Sequence, residues 1–335
     1  MLSKYCQAFK GADTTRSLVQ LTTTTALFFS LCAFMFYSAG RGSYLPVILL
    51  MLPASGLLVR LFIIQHDCGH GSFFHSRAAN DFVGRLISVL TVTPYDFWRR
   101  AHNMHHASSG NLDRRTIGGI DTLTVKEYQA LPFAKRMIYR FYRNPFILLI
   151  ISTPLYILLI QRFPPSQTLP FLKDYHSVPF ASAWRSILTH NIALAVFYTT
   201  LGFVVGWKPL LTVYLPVVVV TSWIGGWLFF IQHQFEGAYW RRGEEWNFKD
   251  AAVMGSSYYV LHPVLQWFTG NIGLHHVHHL CSMIPNYKLQ ACLDGNKELQ
   301  EMNRLTLWQS LKYIRWALWD EDNRKMVSFS ELKAA

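Results

Sequence analysis

Three short stretches hold nine of the 14 histidines in a chain of 335 residues: HDCGH (His66, His70), HNMHH (His102, His105, His106) and HHVHH (His275, His276, His278, His279). On an α-helix, positions i, i+3 and i+4 share one face, so H-x-x-x-H and H-x-x-H-H each aim two or more imidazoles at one point. With 14 histidines in 335 residues, one H-x-x-H-H is expected about 0.02 times by chance. Two occurrences therefore mark a site. Imidazole suits iron, copper, zinc and nickel. A structural zinc takes four ligands; the three stretches offer about twice that number, which points to two metal ions. The chain has no Glu-x-x-His, the pair used by carboxylate-rich di-iron bundles, so the centre is expected to be dominated by histidine.

The spacings select His66, His70, His102, His105, His106, His275, His278 and His279 as ligands. His233, at the end of an apolar run, is the ninth. In the last stretch the H-x-x-H-H register starts at His275 and leaves His276 over as the alternative ligand. Asn271, one helical turn before His275, is a candidate for a metal-bound water or for a cap. Asp67 and Asp113, with Asp96 and Glu236, lie near the stretches and are candidates to orient imidazole N–H groups. His75, His176, His190 and His262 lack partners at useful spacing and read as structural or interfacial.

These side chains must be positioned by a membrane protein. The composition is 51% hydrophobic and 15% charged, too apolar for an ordinary soluble enzyme. Four runs are long enough to span a bilayer: 18–39, 44–64, 187–207 and 210–231. The first pair is joined by GRGS and the second by WKP, so each is expected to form a tight hairpin with both free ends on one side. Ile-Gln-His occurs at the end of the second and of the fourth run, so each hairpin delivers a histidine to the same depth. A fifth run, 144–160, is shorter and carries Pro154. Were it to cross, the histidines would face opposite compartments, so a re-entrant or interfacial helix is expected.

The fold class is thus an all-α integral membrane protein: four transmembrane helices in two hairpins, an interfacial or re-entrant helix, and a cytosolic helical cap carrying the histidine stretches. As a single domain it divides into an N-terminus (1–17), a first hairpin (18–64), a cap segment (65–186), a second hairpin (187–232) and a second cap segment with the tail (233–335). Basic clusters such as KRMIYR fall on the histidine side, which the positive-inside rule makes cytoplasmic, with both termini. The excess of 31 basic over 19 acidic residues fits an anionic membrane surface rather than nucleic acid. Five scattered cysteines without a C-x-x-C suggest neither a disulfide framework nor a zinc ribbon. Arg60, late in the second run, is expected to snorkel to the interface.

The stretches QHDCGHGSFF, TPYDFWRRAHNMHHASSGNLDRRTIGGIDTLTV, FFIQHQFEGAYW and GNIGLHHVHHLCSMIPNYKL resemble the membrane fatty-acid desaturases, most closely the acyl-lipid omega-6 (delta-12) type. They run in family order over most of the chain, leaving the N-terminus and roughly the last 40 residues uninformative. The resemblance implies two iron ions held by the box histidines and His233. It implies O2 as co-substrate, a membrane-lipid acyl chain as substrate, and a cis double bond as product. The motif HPGG of a fused cytochrome b5 segment is absent, so electrons are expected from a separate ferredoxin, or from cytochrome b5 with its reductase. Arg99, Arg100, Arg114, Arg115, Arg241 and Arg242 offer a basic face to an acidic donor or to the membrane. Phe73, Phe74, Trp98, Trp227, Phe230 and Trp267 are candidates to line an acyl channel, or plain interfacial aromatics. The nearest alternative is a hydroxylase or ketolase of the same superfamily. A metal transporter is disfavoured because no charged series runs through the spans.

Overall fold

The computed structural model describes residues 1–164 and 178–333. Among them, four helices are long and apolar enough to cross a membrane: Thr14–Gly40, Leu45–His70, Phe180–Val205 and Trp207–His233. At 26 or 27 residues each, they measure about 40 Å. The hydrocarbon layer is roughly 30 Å thick, so each helix projects beyond it. In the second and fourth spans that projection carries His66, His70 and His233. The second span was expected to stop near Ile64, yet it runs unbroken to His70 and ends only at Gly71, whose φ of 74° supplies the left-handed cap. Gly69 is accommodated inside the helix, which stops only where Gly71 turns left-handed. Phe28, Met35, Leu58, Leu61, Val213 and Val217 form the shared core of the first, second and fourth spans.

Between the hairpins, helices Arg77–Leu90 and Tyr95–Ser108 form a pair that the hydropathy of the spans does not announce. The C-terminal tip of Arg77–Leu90 is driven between the third and fourth spans. A helix end leaves its last four carbonyls without intrahelical donors, and apolar surroundings make each one costly. Side chains from the neighbouring elements satisfy the tip. The carbonyl of Ser88 lies 3.0 Å from His190 Nε2; Tyr198 and Tyr214 donate their hydroxyls to the carbonyls of Val89 (3.0 Å) and Leu90 (2.7 Å). Arg162 donates to the carbonyl of Val92 (2.7 Å), a β-branched residue held at φ 55°. His190 is therefore structural, as its sequence context suggested; His176 lies outside the described residues.

The fifth apolar run meets the helix before it at a sharp angle. Phe133–Tyr142 and Phe146–Arg162 are bent by 62°, with Asn144 Oδ1 accepting from the amides of Phe146 and Ile147 at the break. The cap is closed by two small sheets. Leu123–Thr124 pairs in parallel with Trp316–Asp320 (Leu123 opposite Leu318), which pairs antiparallel with Lys325–Ser328. Tyr258–Val260 pairs in parallel with Arg304–Thr306. The C-terminal region, uninformative as sequence, thus pins the middle of the chain through the buried Leu318 and Trp319.

Candidate metal centre

The end of the second span, the end of the fourth, helix Tyr95–Ser108 and the short helix His275–Leu280 meet at one point. Their imidazoles sort into two groups. His66, His70, His102, His106 and His278 each place a ring nitrogen within 4.8 Å of the others; His105, His233 and His279 form the second set. His275 joins the second, its Nε2 3.0 Å from His233 Nε2 and its ring centroid 4.6 Å from that of His279. The sorting follows helical geometry. The i,i+4 pairs His66/His70, His102/His106 and His275/His279 each stay within one group, while the odd members His105 and His278 cross to the other. The groups touch through His106 and His279, whose rings stack at 4.1 Å.

The donor set fits metal ions. Four Nε2–Nε2 approaches measure 3.0–3.1 Å: His105–His233, His102–His106, His233–His275 and His106–His278. Two nitrogens at right angles on one ion, each about 2.1 Å from it, would stand about 3.0 Å apart, whereas tetrahedral ligands would stand about 3.4 Å apart. The spacing matches the right-angled case. Buried Nε2 atoms of His66, His70 and His279 have no hydrogen-bond partner, which an apolar interior does not tolerate without compensation. Burial, followed by the neighbouring rings, holds His102, His105, His106, His275, His278 and His279 well below the usual imidazole value. They are neutral near pH 7, with lone pairs available.

A supporting shell fixes the rings. Asp67 Oδ1 lies 3.3 Å from His66 Nδ1, while its Oδ2 accepts from the backbone amide (2.6 Å) and side-chain amide (2.8 Å) of Asn286. Gln20 Nε2 donates in turn to Asn286 Oδ1 at 2.9 Å. His233 Nδ1 lies 3.2 Å from the carbonyl of Gly255, which leaves Nε2 for the second group. Trp98 stacks on His102 at 4.6 Å. Gln20 and Asn286 carried no sequence signal, since 266 residues separate them.

Other candidates lie elsewhere. His276 turns away, its Nε2 2.9 Å from the carbonyl of Leu299 and its ring stacked on Tyr258. Asn271 is not on the helix of His275: it sits in a left-handed turn at φ 56° and donates its amide to the carbonyl of Asn286. Asp113 pairs with Arg242, and Asp96 with Arg85 and Arg99. The backbone carbonyl of Glu236 accepts from the amide of Met326. His75 and His262 are exposed. Of the arginines read as a basic face, Arg99, Arg115, Arg241 and Arg242 are engaged by carboxylates, which weakens their field. Arg60 donates to Thr24 Oγ1 and to the carbonyl of Trp267, over whose ring it lies.

Deeper in the spans, a cavity of about 520 Å³ is lined by Phe28, Cys32, Phe36, Phe197, Leu201 and Tyr214, among others. Its size falls within the usual range for small-molecule sites. None of the six aromatics marked in the sequence lines it.

The fatty acid desaturase family profile matches residues 42–311. A fatty acid desaturase of Bacillus subtilis is 42% identical over 333 residues, covering 99% of this chain and 91% of that protein. An sn-1 acyl-lipid omega-3 desaturase (ferredoxin) of Synechocystis is 32% identical over 272 residues, covering 77% of this chain and 70% of its own. An acyl-lipid omega-3 desaturase (cytochrome b5) of the endoplasmic reticulum of Arabidopsis thaliana is 28% identical over 236 residues, 68% and 58% of the two chains.

Proposed function

The chain belongs to the fatty acid desaturase family, and from that premise we propose that it is an O2-dependent acyl-lipid desaturase whose two histidine groups each hold one iron ion. One observation carries this reading: i,i+4 histidine pairs from three separate segments close into two contiguous imidazole groups. His66, His70, His102, His106 and His278 hold the first ion; His105, His233, His275 and His279 hold the second. When bound, the irons supply the redox chemistry that removes two hydrogens from adjacent methylenes, for which acid–base side chains are useless.

The remaining work falls to the chain itself. Asp67, held by Asn286, keeps the proton of His66 on Nδ1 and so frees Nε2. The carbonyl of Gly255 does the same for His233. Trp98 shields His102 from water. The aromatic cavity between the first, third and fourth spans takes apolar acyl carbons, which supports a lipid substrate. The histidine groups, both termini and cap segments 65–186 and 233–335 are placed on the cytoplasmic side, supported by the basic residues flanking the spans. The donor is a separate one-electron carrier of the ferredoxin or cytochrome b5 class, since relatives are named for each. The finer assignment, an omega-6 (delta-12) type, rests on the resemblance of the histidine stretches; the omega-3 relatives set that regiochemistry beside it.

The test is gas chromatography with mass spectrometry of fatty-acid methyl esters from cells lacking polyunsaturated lipids. The cells express this chain with a ferredoxin, and a His105→Ala strain is run in parallel. A new double bond, absent from the variant, is expected, and its position fixes the regiochemistry. A hydroxy or keto product, or the same product from His105→Ala, overturns the assignment.

A further inference from the structure

Desaturation is balanced only if protons enter the site: R–CH2–CH2–R′ + O2 + 2e⁻ + 2H⁺ gives R–CH=CH–R′ + 2H2O. The electrons come from the one-electron donor. The protons must cross from bulk water to a buried centre. We propose that the polar cavity beside His105 and His233 is that proton route, with the Asp121 carboxylate as its relay; this inference rests on the desaturase reading.

The cavity measures about 50 Å³ and includes His105, His233, Gln234, Arg115, Gly119 and Asp121 in its wall. At the roughly 30 Å³ that a water occupies in the liquid it holds about two molecules, enough for a short chain. It reaches the surface at Gly119, which is exposed. A Cβ on Gly119 would stand 3.9 Å from His105 Nδ1, so surface and ligand ring are within one small cavity of each other. The hydroxyls of Ser108 and Thr116, also in the wall, face each other at 3.1 Å, and either can donate.

Asp121 is the one carboxylate in that wall. Its backbone is pinned: the carbonyl accepts from Tyr139 Oη (3.2 Å) and Arg143 Nη1 (3.1 Å), and the amide donates to Tyr142 Oη (3.3 Å). Its carboxylate receives no hydrogen bond from any described residue and lies in the wall of the cavity. Among the charged groups facing it, Arg143 is committed to Gln234 Oε1 and the carbonyl of Trp316, and Arg115 to Glu127 through two bonds. Burial pushes the Asp121 carboxyl up to about 6, against the opposing pull of Arg143 and Arg115. A group of that affinity both takes and releases a proton near neutral pH.

The test uses the purified, iron-loaded enzyme as wild type, Asp121→Asn and Asp121→Glu. Infrared difference spectroscopy of the wild type should show a protonated-carboxyl C=O band titrating near pH 6, absent in Asp121→Asn. With iron content unchanged, Asp121→Asn should turn over about 100-fold more slowly, with a larger solvent-deuterium effect and a larger share of consumed O2 released as hydrogen peroxide. Asp121→Glu should recover most of the rate with a displaced pH profile. Wild-type turnover and pH profile in Asp121→Asn overturn the inference; so does absence of the infrared band, or loss of iron in step with activity. Failure of the wild type to form any double bond overturns the desaturase reading itself, and the inference with it.

Discussion

Replacing Asp67 with asparagine changes one atom and tests how the first histidine group is held. The carboxylate serves two sides at once, His66 Nδ1 at 3.3 Å and the two N–H donors of Asn286 at 2.6 and 2.8 Å. An amide cannot do both. With its oxygen toward Asn286, its NH2 faces His66 Nδ1, makes that nitrogen an acceptor and moves the ring proton to Nε2, the buried nitrogen otherwise without a partner. With its NH2 toward Asn286, two buried donors lose their acceptor, at about 1–3 kcal/mol each. Either way the His66 ligand is compromised. Loss of such a supporting contact typically lowers metal affinity about 10–100-fold, or about 1.4–2.7 kcal/mol. Chelator competition on purified protein, read by elemental analysis, should show one of two metals per chain weakened by that factor. Asp113→Asn, on the surface with Arg242, should change nothing. Affinity in Asp67→Asn within twofold of wild type would mean that Asp67 does not hold His66 for the metal.

Three further outcomes follow from the same structure. His275→Ala should lose the second-group metal, while His276→Ala, which removes a contact to the carbonyl of Leu299, should keep both metals and lose about 1 kcal/mol of stability, read by thermal unfolding in detergent. Gly84→Ala should destabilise by about 1–3 kcal/mol, because a Cβ there would meet the Tyr95 ring at 2.3 Å; an unchanged melting temperature would contradict the packing of the two cap helices. The metal-free protein should lose stability as pH falls below about 6.5. The sign follows from the lowered affinity of His102, His105, His106, His275, His278 and His279 for protons: the unfolded chain binds protons there first. Stability is then full above that pH and falls on acidification, whereas a rise on acidification would mean that the rings are not buried as neutral groups.

Hydropathy located the four spans to within several residues, because the bilayer fixes their length, and i,i+4 spacing marked the histidines that share a face. What spacing alone did not decide is partnership between segments. His105 and His106 are neighbours in sequence, yet one crosses to His233 and the other to His70 and His278. Asn271 illustrates a different limit: its spacing to His275 suggests a helical turn, but Gly270 and Asn271 both adopt positive φ (52° and 56°), so the Asn271 side chain leaves the helix face. The tip of Arg77–Leu90 was hidden because its stability comes from donors up to 124 residues away. Strands of two to five residues are too short to register as alternating patterns. The aromatic cavity is not legible in the sequence because Phe28, Cys32 and Phe36 sit on a span, where apolar residues facing lipid and those facing a cavity look alike.

Nine histidines are proposed to form two metal sites. The most direct test is the iron content of the purified chain, measured with the His70→Ala and His233→Ala variants. Two iron ions per wild-type chain are expected, with the first-group ion lost from His70→Ala and the second-group ion from His233→Ala. A wild-type content of one ion or fewer under iron-replete expression, or two ions retained in both variants, would contradict that assignment.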